Sequence, residues 1–392
     1  MLPKNISLAG KTVPYPQNLT SQTISSLRFP LAVMVVTIHA RTLNDMDFTP
    51  VWPPVSGMAI ALGLQVLFSS VVCHVAVPIF YVMSGYLFFY KLPTFDGRTY
   101  KSKLRKRIKT LFVPYLLLNL MQILFTVLLK VAGVVVKGKP LDGIADYLQE
   151  HANIATFWDC NMWDLWRTNW IGQITPPTAP ILFPMWFLRD LMVIVVLTPI
   201  IYSLLRHFKH WVLLMFAVCY VTGIWPYIHG FSITAMFFFS LGAYFSVNGK
   251  DPVGGLDCLR LPAYIIYVPM TMAMLLLDSR NTWWGDHLYP FFIMISVVAV
   301  ICLFADLTSR GHCNKMRDMQ RYAFFIYGAH AVFGLPIAHG ILQLVFGHDT
   351  HWTGISASYL LSIALSVLIC ICSQKLLLRF CPKLLSSLVG SR

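Results

Sequence analysis

The residues best suited to chemistry are ionisable side chains inside an otherwise apolar stretch near the start of the chain. Arg28 and His39 stand eleven positions apart there. Because an α-helix turns about 100° and rises about 1.5 Å per residue, the two side chains would lie within roughly 20° on one helix face and about 16 Å apart along the axis. One face of a single helix would then carry a cation near a membrane surface and an imidazole near mid-membrane.

Each of these two residues also has a purely structural interpretation. Arg28 could be an anchor whose long side chain reaches the membrane interface, and His39 could hydrogen-bond to a neighbouring helix. Ionisable groups within membrane segments nevertheless count as functional hypotheses by default, because their burial is costly. The structural and functional interpretations of Arg28 and His39 therefore both stay open at the level of single residues.

Three further places combine polar side chains with apolar surroundings. Ser84 precedes Gly85 in a segment whose small residues would allow close helix packing. Arg189 and Asp190 are adjacent, so on a helix they would not face each other and each would need another partner. His330 is a second imidazole in an apolar segment, where a lone histidine commonly has a structural role.

A dense basic run, RTYKSKLRKRIK, occupies residues 98–109 and precedes a long apolar block. Such a run is typical of a stop-transfer and orientation signal, which keeps the basic residues themselves in the cytoplasm. Clustered Arg and Lys also suit a rim that binds the phosphates of a polyanionic cofactor. The sequence alone leaves both interpretations of the run open.

The composition is that of a membrane protein. Of the 392 residues, 57% are hydrophobic and only 12% charged, and the apolar residues form blocks near the length of a membrane-spanning helix. The net charge of +14 comes without a basic soluble domain, so no nucleic-acid partner is expected. The nine cysteines are scattered, without a disulfide framework or zinc-ligand spacing, so no metal is expected.

The fold class expected from these blocks is all-α, a polytopic membrane helix bundle of about ten transmembrane helices with both termini cytoplasmic. With the N-terminus inside, 23 of the 30 Lys and Arg residues fall on the cytoplasmic side, as the positive-inside rule requires. Pro78 should kink the second helix, and the apolar residues 58–68 before it are either re-entrant or interfacial. The helices are placed at residues 26–44, 70–90, 110–136, 181–205, 211–228, 231–247, 261–278, 288–306, 322–346 and 354–378.

The chain divides into a cytoplasmic N-terminal segment (1–25), a transmembrane domain (26–378) and a basic cytoplasmic tail (379–392). Residues 137–180 form the longest outer segment and are expected to cap the bundle. This segment carries Glu150 and four tryptophans at near-helical spacing, Trp158, Trp163, Trp166 and Trp170. The tryptophans form either an interfacial aromatic belt or a platform on which sugar rings stack.

Taken in order, five stretches of the sequence resemble the acyltransferase-3 family, the membrane-bound acyl-CoA-dependent O-acyltransferases of bacterial surface polysaccharides. The likeness runs over nearly the whole chain, and its most distinctive part is an Arg-x10-His motif in the first stretch. The stretches are LRFPLAVMVVTIH (27–39), VPIFYVMSGYLF (77–88), LRKRIKTLFVPY (104–115), MWFLRDL (185–191) and FFIYGAH (324–330).

The resemblance implies that His39 is the catalytic histidine and that Arg28, its motif partner, contacts the donor. It also implies that a basic triplet, Arg105, Lys106 and Arg107, binds the nucleotide of the donor. The weaker site candidates are Ser84, Asp190 and His330.

An enzyme of this kind would be a multi-pass protein of the inner (cytoplasmic) membrane, in contact with membrane lipid. It would move an acyl group, expected to be acetyl, from cytoplasmic acyl-CoA to a hydroxyl of a surface or lipid-linked glycan. Neutral imidazole at depth suits a general base, yet His39 could equally carry the acyl group for a moment. The alternative is a transporter or flippase of a polysaccharide precursor, in which Arg28 and His39 would mark a substrate path.

Overall fold

The structure, a computed structural model, describes residues 5–8, 11–14, 19–41, 56–92, 94–137, 142–151, 154–159, 179–226, 228–277, 283–347 and 351–390. Within these ranges, 8 helical stretches are long and apolar enough to cross a membrane. Two shorter apolar helices, His210–Thr222 and Ile233–Val247, stand where the fifth and sixth spans are predicted. The all-α membrane bundle is thus confirmed, whereas the count of ten and the cytoplasmic placement of both termini stay predictions.

The helices follow one another with short connections wherever the chain is described. Ahead of them, strands β1 (Asn5–Leu8) and β2 (Lys11–Pro14) pair antiparallel, a small hairpin that the all-α prediction did not include. In chain order the helices are α1 (Leu19–His39), α2 (Gly57–Gln65), α3 (Ala76–Phe89), α4 (Gly97–Arg107), α5 (Val113–Lys137), α6 (Asp142–His151), α7 (Ile154–Trp158), α8 (Trp186–His207), α9 (His210–Thr222), α10 (Ile233–Val247), α11 (Pro252–Leu256), α12 (Arg260–Leu276), α13 (Trp283–Ser309), α14 (Asn314–Ala329), α15 (Leu335–Phe346), α16 (Trp352–Phe380) and α17 (Pro382–Leu388).

Three prolines account for irregular turns inside the long helical stretches. Proline has no N–H, so the carbonyl four residues before it loses its helical hydrogen bond. That carbonyl lies inside an irregular turn in all three cases. The turns are the 3₁₀ turn Val72–Val75 before Pro78, the π-helical turn Ile108–Phe112 before Pro114, and the π-helical turn His330–Gly334 before Pro336.

Two segments that the sequence left outside the helices are helical. Residues 58–68 belong to α2 and to the π-helical turn Val66–Val71, and they continue towards α3 in one stretch of 33 residues. The basic residues 98–109 form α4 and the turn after it, so this run is a helix continuous with α5 and not a loop. Lys, Arg and Leu favour helix, which explains the difference.

The N-terminus of α4 has a capping residue. The Thr99 backbone N–H donates to the Asp96 side chain over 2.8 Å. The side-chain and backbone hydrogen bonds from Thr99 lower the pKa of Asp96. The cap fixes where the basic helix begins.

The first spanning helix, α1, lies in the middle of the bundle. It packs against α3, α13, α14 and α16. Half of its apolar window is buried (50%), compared with 11% for the stretch Pro252–Leu276. Its ionisable residues are therefore surrounded by protein more than by lipid.

The outer segment is described only in part. It contributes α6 and α7, and Trp158 is the last residue of α7. The other three tryptophans of the predicted belt, Trp163, Trp166 and Trp170, lie outside the described residues. The limits predicted for the three parts of the chain, 1–25, 26–378 and 379–392, stay predictions.

Candidate active site

His39 and His330 come together inside the bundle although they are far apart in the sequence. Their imidazole rings stack with centroids 5.4 Å apart and planes inclined by 26°. His39 is the last residue of α1, and His330 opens the π-helical turn that follows α14. The two rings meet because α1 and α14 pack along each other.

The hydrogen bonds of His330 define its tautomer. The residue is fully buried (0% exposed), and its Nδ1 lies 2.8 Å from the Tyr327 carbonyl oxygen and 3.1 Å from the Ile326 carbonyl oxygen. A carbonyl oxygen only accepts, so Nδ1 carries the proton and Nε2 keeps its lone pair. Among the described residues, Nε2 has no hydrogen-bond partner.

His39 is held by ring contacts. Besides His330, it meets Phe183, whose ring stands edge-on at 82° with its centroid 5.8 Å away. No residue in the described ranges forms a hydrogen bond with the His39 ring. Within the described part of the chain, neither nitrogen of His39 is therefore occupied by a hydrogen bond. π-helical turns such as the one that begins at His330 recur at functional sites.

Arg28 lies on the same helix as His39 and is half-buried. Within the part of the chain that the structure describes, its guanidinium makes no hydrogen bond or ion pair. A planar guanidinium without a carboxylate partner is suited to a carboxylate or phosphate from outside the protein. The Arg-x10-His motif thus combines an unpaired cation with one member of the histidine pair.

Aromatic rings separate the histidine pair from the beginning of α8. The Phe187 ring contacts Tyr81 and Tyr327 at centroid distances of 4.7 and 5.8 Å. The Tyr327 hydroxyl donates to the Pro184 carbonyl oxygen, and the Tyr81 hydroxyl donates to the Phe187 carbonyl oxygen over 3.4 Å. One side of the candidate site is consequently a buried aromatic wall whose hydroxyls are hydrogen-bonded to the backbone.

Behind this wall lies a buried ionic cluster of Asp159, Arg189, Asp190 and His229. Arg189 Nη1 lies 3.3 Å from Asp159 Oδ2 and 3.0 Å from the Trp158 carbonyl oxygen. The Nδ1 atom of His229 contacts Asp159 Oδ2 as well. The cluster links the end of α7, the start of α8 and the connection between α9 and α10, so it fastens part of the outer segment to the bundle.

The prediction that the adjacent side chains of Arg189 and Asp190 would not face each other was wrong. Arg189 Nε and Nη2 each lie 3.1 Å from Asp190 Oδ1, so the adjacent side chains are bonded to each other. The long Arg side chain bends back and bridges the angle between neighbouring positions. Each residue also has a further partner, as the sequence predicted. Arg189 contacts Asp159, and Asp190 contacts Ser232.

The basic helix α4 carries an open groove of about 490 Å³. Its lining combines three cations with two hydroxyls: Arg98, Lys103 and Lys106 with Thr99 and Ser102. Of the predicted nucleotide-binding triplet, only Lys106 lines the groove. Arg105 is exposed elsewhere on α4, and the Arg107 guanidinium packs over the Phe88 ring at 5.7 Å.

Ser84 and Gly85 have different positions in the packing. A Cβ on Gly85 would overlap the Phe239 carbonyl oxygen, and one on Gly242 would overlap the Val82 carbonyl oxygen. Helices α3 and α10 therefore touch backbone to backbone at this pair of glycines. Ser84 is partly buried beside this contact, and its role in the site stays a prediction.

Sequence reasoning missed several residues around the site. Phe183, Asp159 and His229 are single residues without a motif, and their approach to the site depends on contacts between distant helices. The hydroxyls of Thr99 and Ser102 could have been found, because they face the same side of a helix as Arg98 and Lys106. In the described ranges, no group of three or more His, Cys, Asp or Glu side chains could hold a metal ion.

Comparison with known proteins identifies the family. Residues 22–372 match the model of the acyltransferase domain of the acyltransferase-3 family. The succinoglycan biosynthesis protein ExoH of Rhizobium meliloti (strain 1021) is 24% identical over 385 residues, which covers 95% of this chain and 92% of that protein. No solved structure matches the chain. The match over most of its length shows that the chain is a membrane acyltransferase and belongs to the acyltransferase-3 family.

Proposed function

We propose that the protein is an O-acyltransferase of the inner membrane that moves an acetyl group from cytoplasmic acetyl-CoA to a hydroxyl of a surface or lipid-linked glycan. The observation that carries this proposal is the contact between two imidazoles, His39 and His330, inside a chain of an acyltransferase family. Imidazole is the side chain best suited to acyl transfer near neutral pH, both as a base and as a nucleophile.

The cations of α1 and α4 support CoA as the donor. CoA carries phosphates at one end and a thioester at the end of a long flexible arm. The groove lined by Arg98, Lys103 and Lys106 offers charge and hydroxyl groups to the phosphates. Arg28 has no ion-pair partner among the described residues, and it precedes His39 by eleven residues on the same helix, about 16 Å along the axis, which is about the length of an extended arm of this kind.

Two observations support a glycan as the acceptor. The relative ExoH is named a succinoglycan biosynthesis protein, and succinoglycan is a polysaccharide. The outer segment of this chain is rich in tryptophan, whose ring faces stack on sugars. The acceptor hydroxyl would therefore reach the histidine pair from the side of the membrane opposite to the donor.

The test is acetyl transfer by purified protein in proteoliposomes supplied with labelled acetyl-CoA and a membrane glycan fraction. Wild type should transfer label to the glycan. If the His39 imidazole acts as general base, His39→Ala should lower the transfer rate by a factor on the order of 10² to 10⁴, because the base acts only in the transition state. His312→Ala is the matched control, since His312 is an exposed histidine in the turn before α14.

Two results would contradict this proposal. A wild-type protein that leaves acetyl-CoA unchanged in the presence of glycan would favour the flippase, which has no use for a thioester. A His39→Ala protein with the rate of wild type would remove His39 from the catalytic role. Equal thermal stability of all variants is required, so that a loss of rate does not reflect a loss of folded protein.

A further inference from the structure

His330 presents a buried lone pair that nothing described in the protein satisfies. Its Nδ1 proton is committed to the carbonyl oxygens of Ile326 and Tyr327, and its Nε2 atom has no hydrogen-bond partner in the described ranges. An acceptor atom buried without a donor is unfavourable, and such atoms are rare in folded proteins. The position of His330 is therefore costly unless a donor arrives from outside.

The neighbouring imidazole does not supply that donor. The His39 and His330 rings are inclined by 26° with centroids 5.4 Å apart, and His330 Nε2 has no hydrogen bond to the His39 ring. The Phe183 ring, which also contacts His39, has no polar atom to offer. A ligand with an O–H group at the ring pair would complete the hydrogen bonding of His330.

The backbone holds His330 firmly in this orientation. The residue opens the π-helical turn His330–Gly334, whose last residue packs without space for a side chain against Ser366 and Cys370 of α16. The two carbonyl oxygens that fix Nδ1 come from the preceding turn of α14. A base needs such a fixed tautomer and direction, because the lone pair must face the proton that it removes.

We propose that Nε2 of His330, in place of His39, binds the acceptor hydroxyl and takes its proton, and that His39 stabilises the negative charge that develops on the thioester carbonyl oxygen. This inference deepens the proposed function and rests on it. The hydroxyl oxygen forms the new O–C bond with the acyl carbon, the C–S bond breaks, and the sulfur leaves as the thiolate of CoA. The proton taken by His330 then passes to that thiolate and yields CoA–SH, so His330 returns to its neutral form.

The test uses the acidity of the acceptor. Base catalysis matters most for a weakly acidic hydroxyl and least for one that ionises readily. Ethanol and 2,2,2-trifluoroethanol serve as surrogate acceptors with acetyl-CoA and the full-length protein in proteoliposomes. His330→Gln should lower the transfer rate to ethanol by a factor on the order of 10² to 10⁴, and the rate to trifluoroethanol by a much smaller factor. His39→Ala should transfer acetyl to neither alcohol at an appreciable rate.

The possible outcomes separate this inference from the proposed function. If the His330→Gln protein has unchanged thermal stability and its transfer rates to both alcohols fall by the same factor, His330 only supports the structure. That result would overturn the inference. Transfer to ethanol at the rate of wild type would overturn it as well. Wild type that never consumes acetyl-CoA would contradict the proposed function itself. If the Gln variant is less stable than wild type, His330→Asn is measured in the same way, with His312→Gln as the control.

Discussion

Arg28 is a half-buried cation to which the described part of the bundle offers no anion. If Arg28 holds a donor phosphate in both the ground state and the transition state, Arg28→Ala should raise the acetyl-CoA concentration needed for half-maximal rate by roughly 10- to 100-fold, the worth of one charged hydrogen bond. Turnover at saturation should fall much less. Arg28→Lys should recover only part of the affinity for acetyl-CoA, since an ammonium group keeps the charge but lacks the two parallel N–H donors of the planar guanidinium.

The measurement for Arg28 is a pair of saturation curves, one for acetyl transfer and one for CoA binding. Lys101 is an exposed basic residue of α4 that does not line the groove, so Lys101→Ala serves as the control for a general loss of positive charge. Unchanged CoA binding by Arg28→Ala would return Arg28 to the role of a membrane anchor.

Asp159 is the shared anion of the ionic cluster, because Arg189 and His229 both contact its Oδ2. It is fully buried (0% exposed), so its replacement takes a buried carboxylate away from Arg189 and His229, although Arg189 keeps Asp190 as a partner. Asp159→Asn should therefore destabilise the protein by about 1–3 kcal/mol, the usual cost of leaving buried polar groups incompletely satisfied. The measurement is thermal unfolding in detergent.

A carboxylate at the surface provides the control for Asp159. Asp96 caps α4 and is exposed, and Asn caps helices about as well as Asp, so Asp96→Asn should leave stability nearly unchanged. Equal and small effects of the two substitutions would show that the cluster contributes little to holding the outer segment on the bundle.

At the scale of the helices, α3 and α10 approach each other most closely at Gly85 and Gly242. An added methyl group would meet backbone oxygen atoms, which cannot move aside as a side chain can. Gly85→Ala should therefore destabilise the protein by about 1–3 kcal/mol or more, as overpacked substitutions do. Thermal unfolding in detergent measures the change.

Gly63 supplies the matched control for this contact. It lies inside α2 with open space where its Cβ would stand. Gly63→Ala should leave stability unchanged or raise it by up to about 1 kcal/mol, because Ala is the better helix former. If Gly85→Ala were as stable as Gly63→Ala, the close approach of α3 and α10 would not be a packing constraint.

The helices could be predicted from the sequence because hydrophobic length is a local property. Every predicted span has a helix at its position, including the weakly apolar α1. The basic run was placed between two predicted spans and not in a helix, since hydropathy does not take account of the high helix propensity of Lys and Arg. The irregular turns had a local signal too, in Pro78, Pro114 and Pro336, although proline alone does not tell which kind of turn precedes it.

The candidate site was predictable only in its separate parts. His39 and His330 each stood out as an imidazole in an apolar segment, but one sequence holds no information on which helices are neighbours. The stacking of the two rings depends on the packing of α1 against α14. The tautomer of His330 depends further on the carbonyl oxygens of Ile326 and Tyr327, which belong to the last turn of α14.

At the scale of the whole molecule, the two short helices α9 and α10 decide how often the chain crosses the bilayer. Their lengths of 13 and 15 residues correspond to roughly 20 Å, less than the hydrocarbon thickness of about 30 Å. α9 begins next to the end of α8, yet His229, after α9, belongs to the ionic cluster at the start of α8. The chain between His210 and His229 thus runs back along the length of α8, which favours ten crossings over eight.

Reporter tags test this topology. Ten crossings with the positive-inside orientation place the N-terminus, the basic helix α4 and the C-terminus in the cytoplasm. A tag after Glu150 and one after Gly223, the residue that ends α9, should both report the opposite side. If α9 and α10 instead formed a re-entrant pair, a tag after Gly223 would be reached from neither side. With the N-terminus in the cytoplasm, a C-terminus on the outer side would contradict any even number of spans, and with it the ten-helix arrangement.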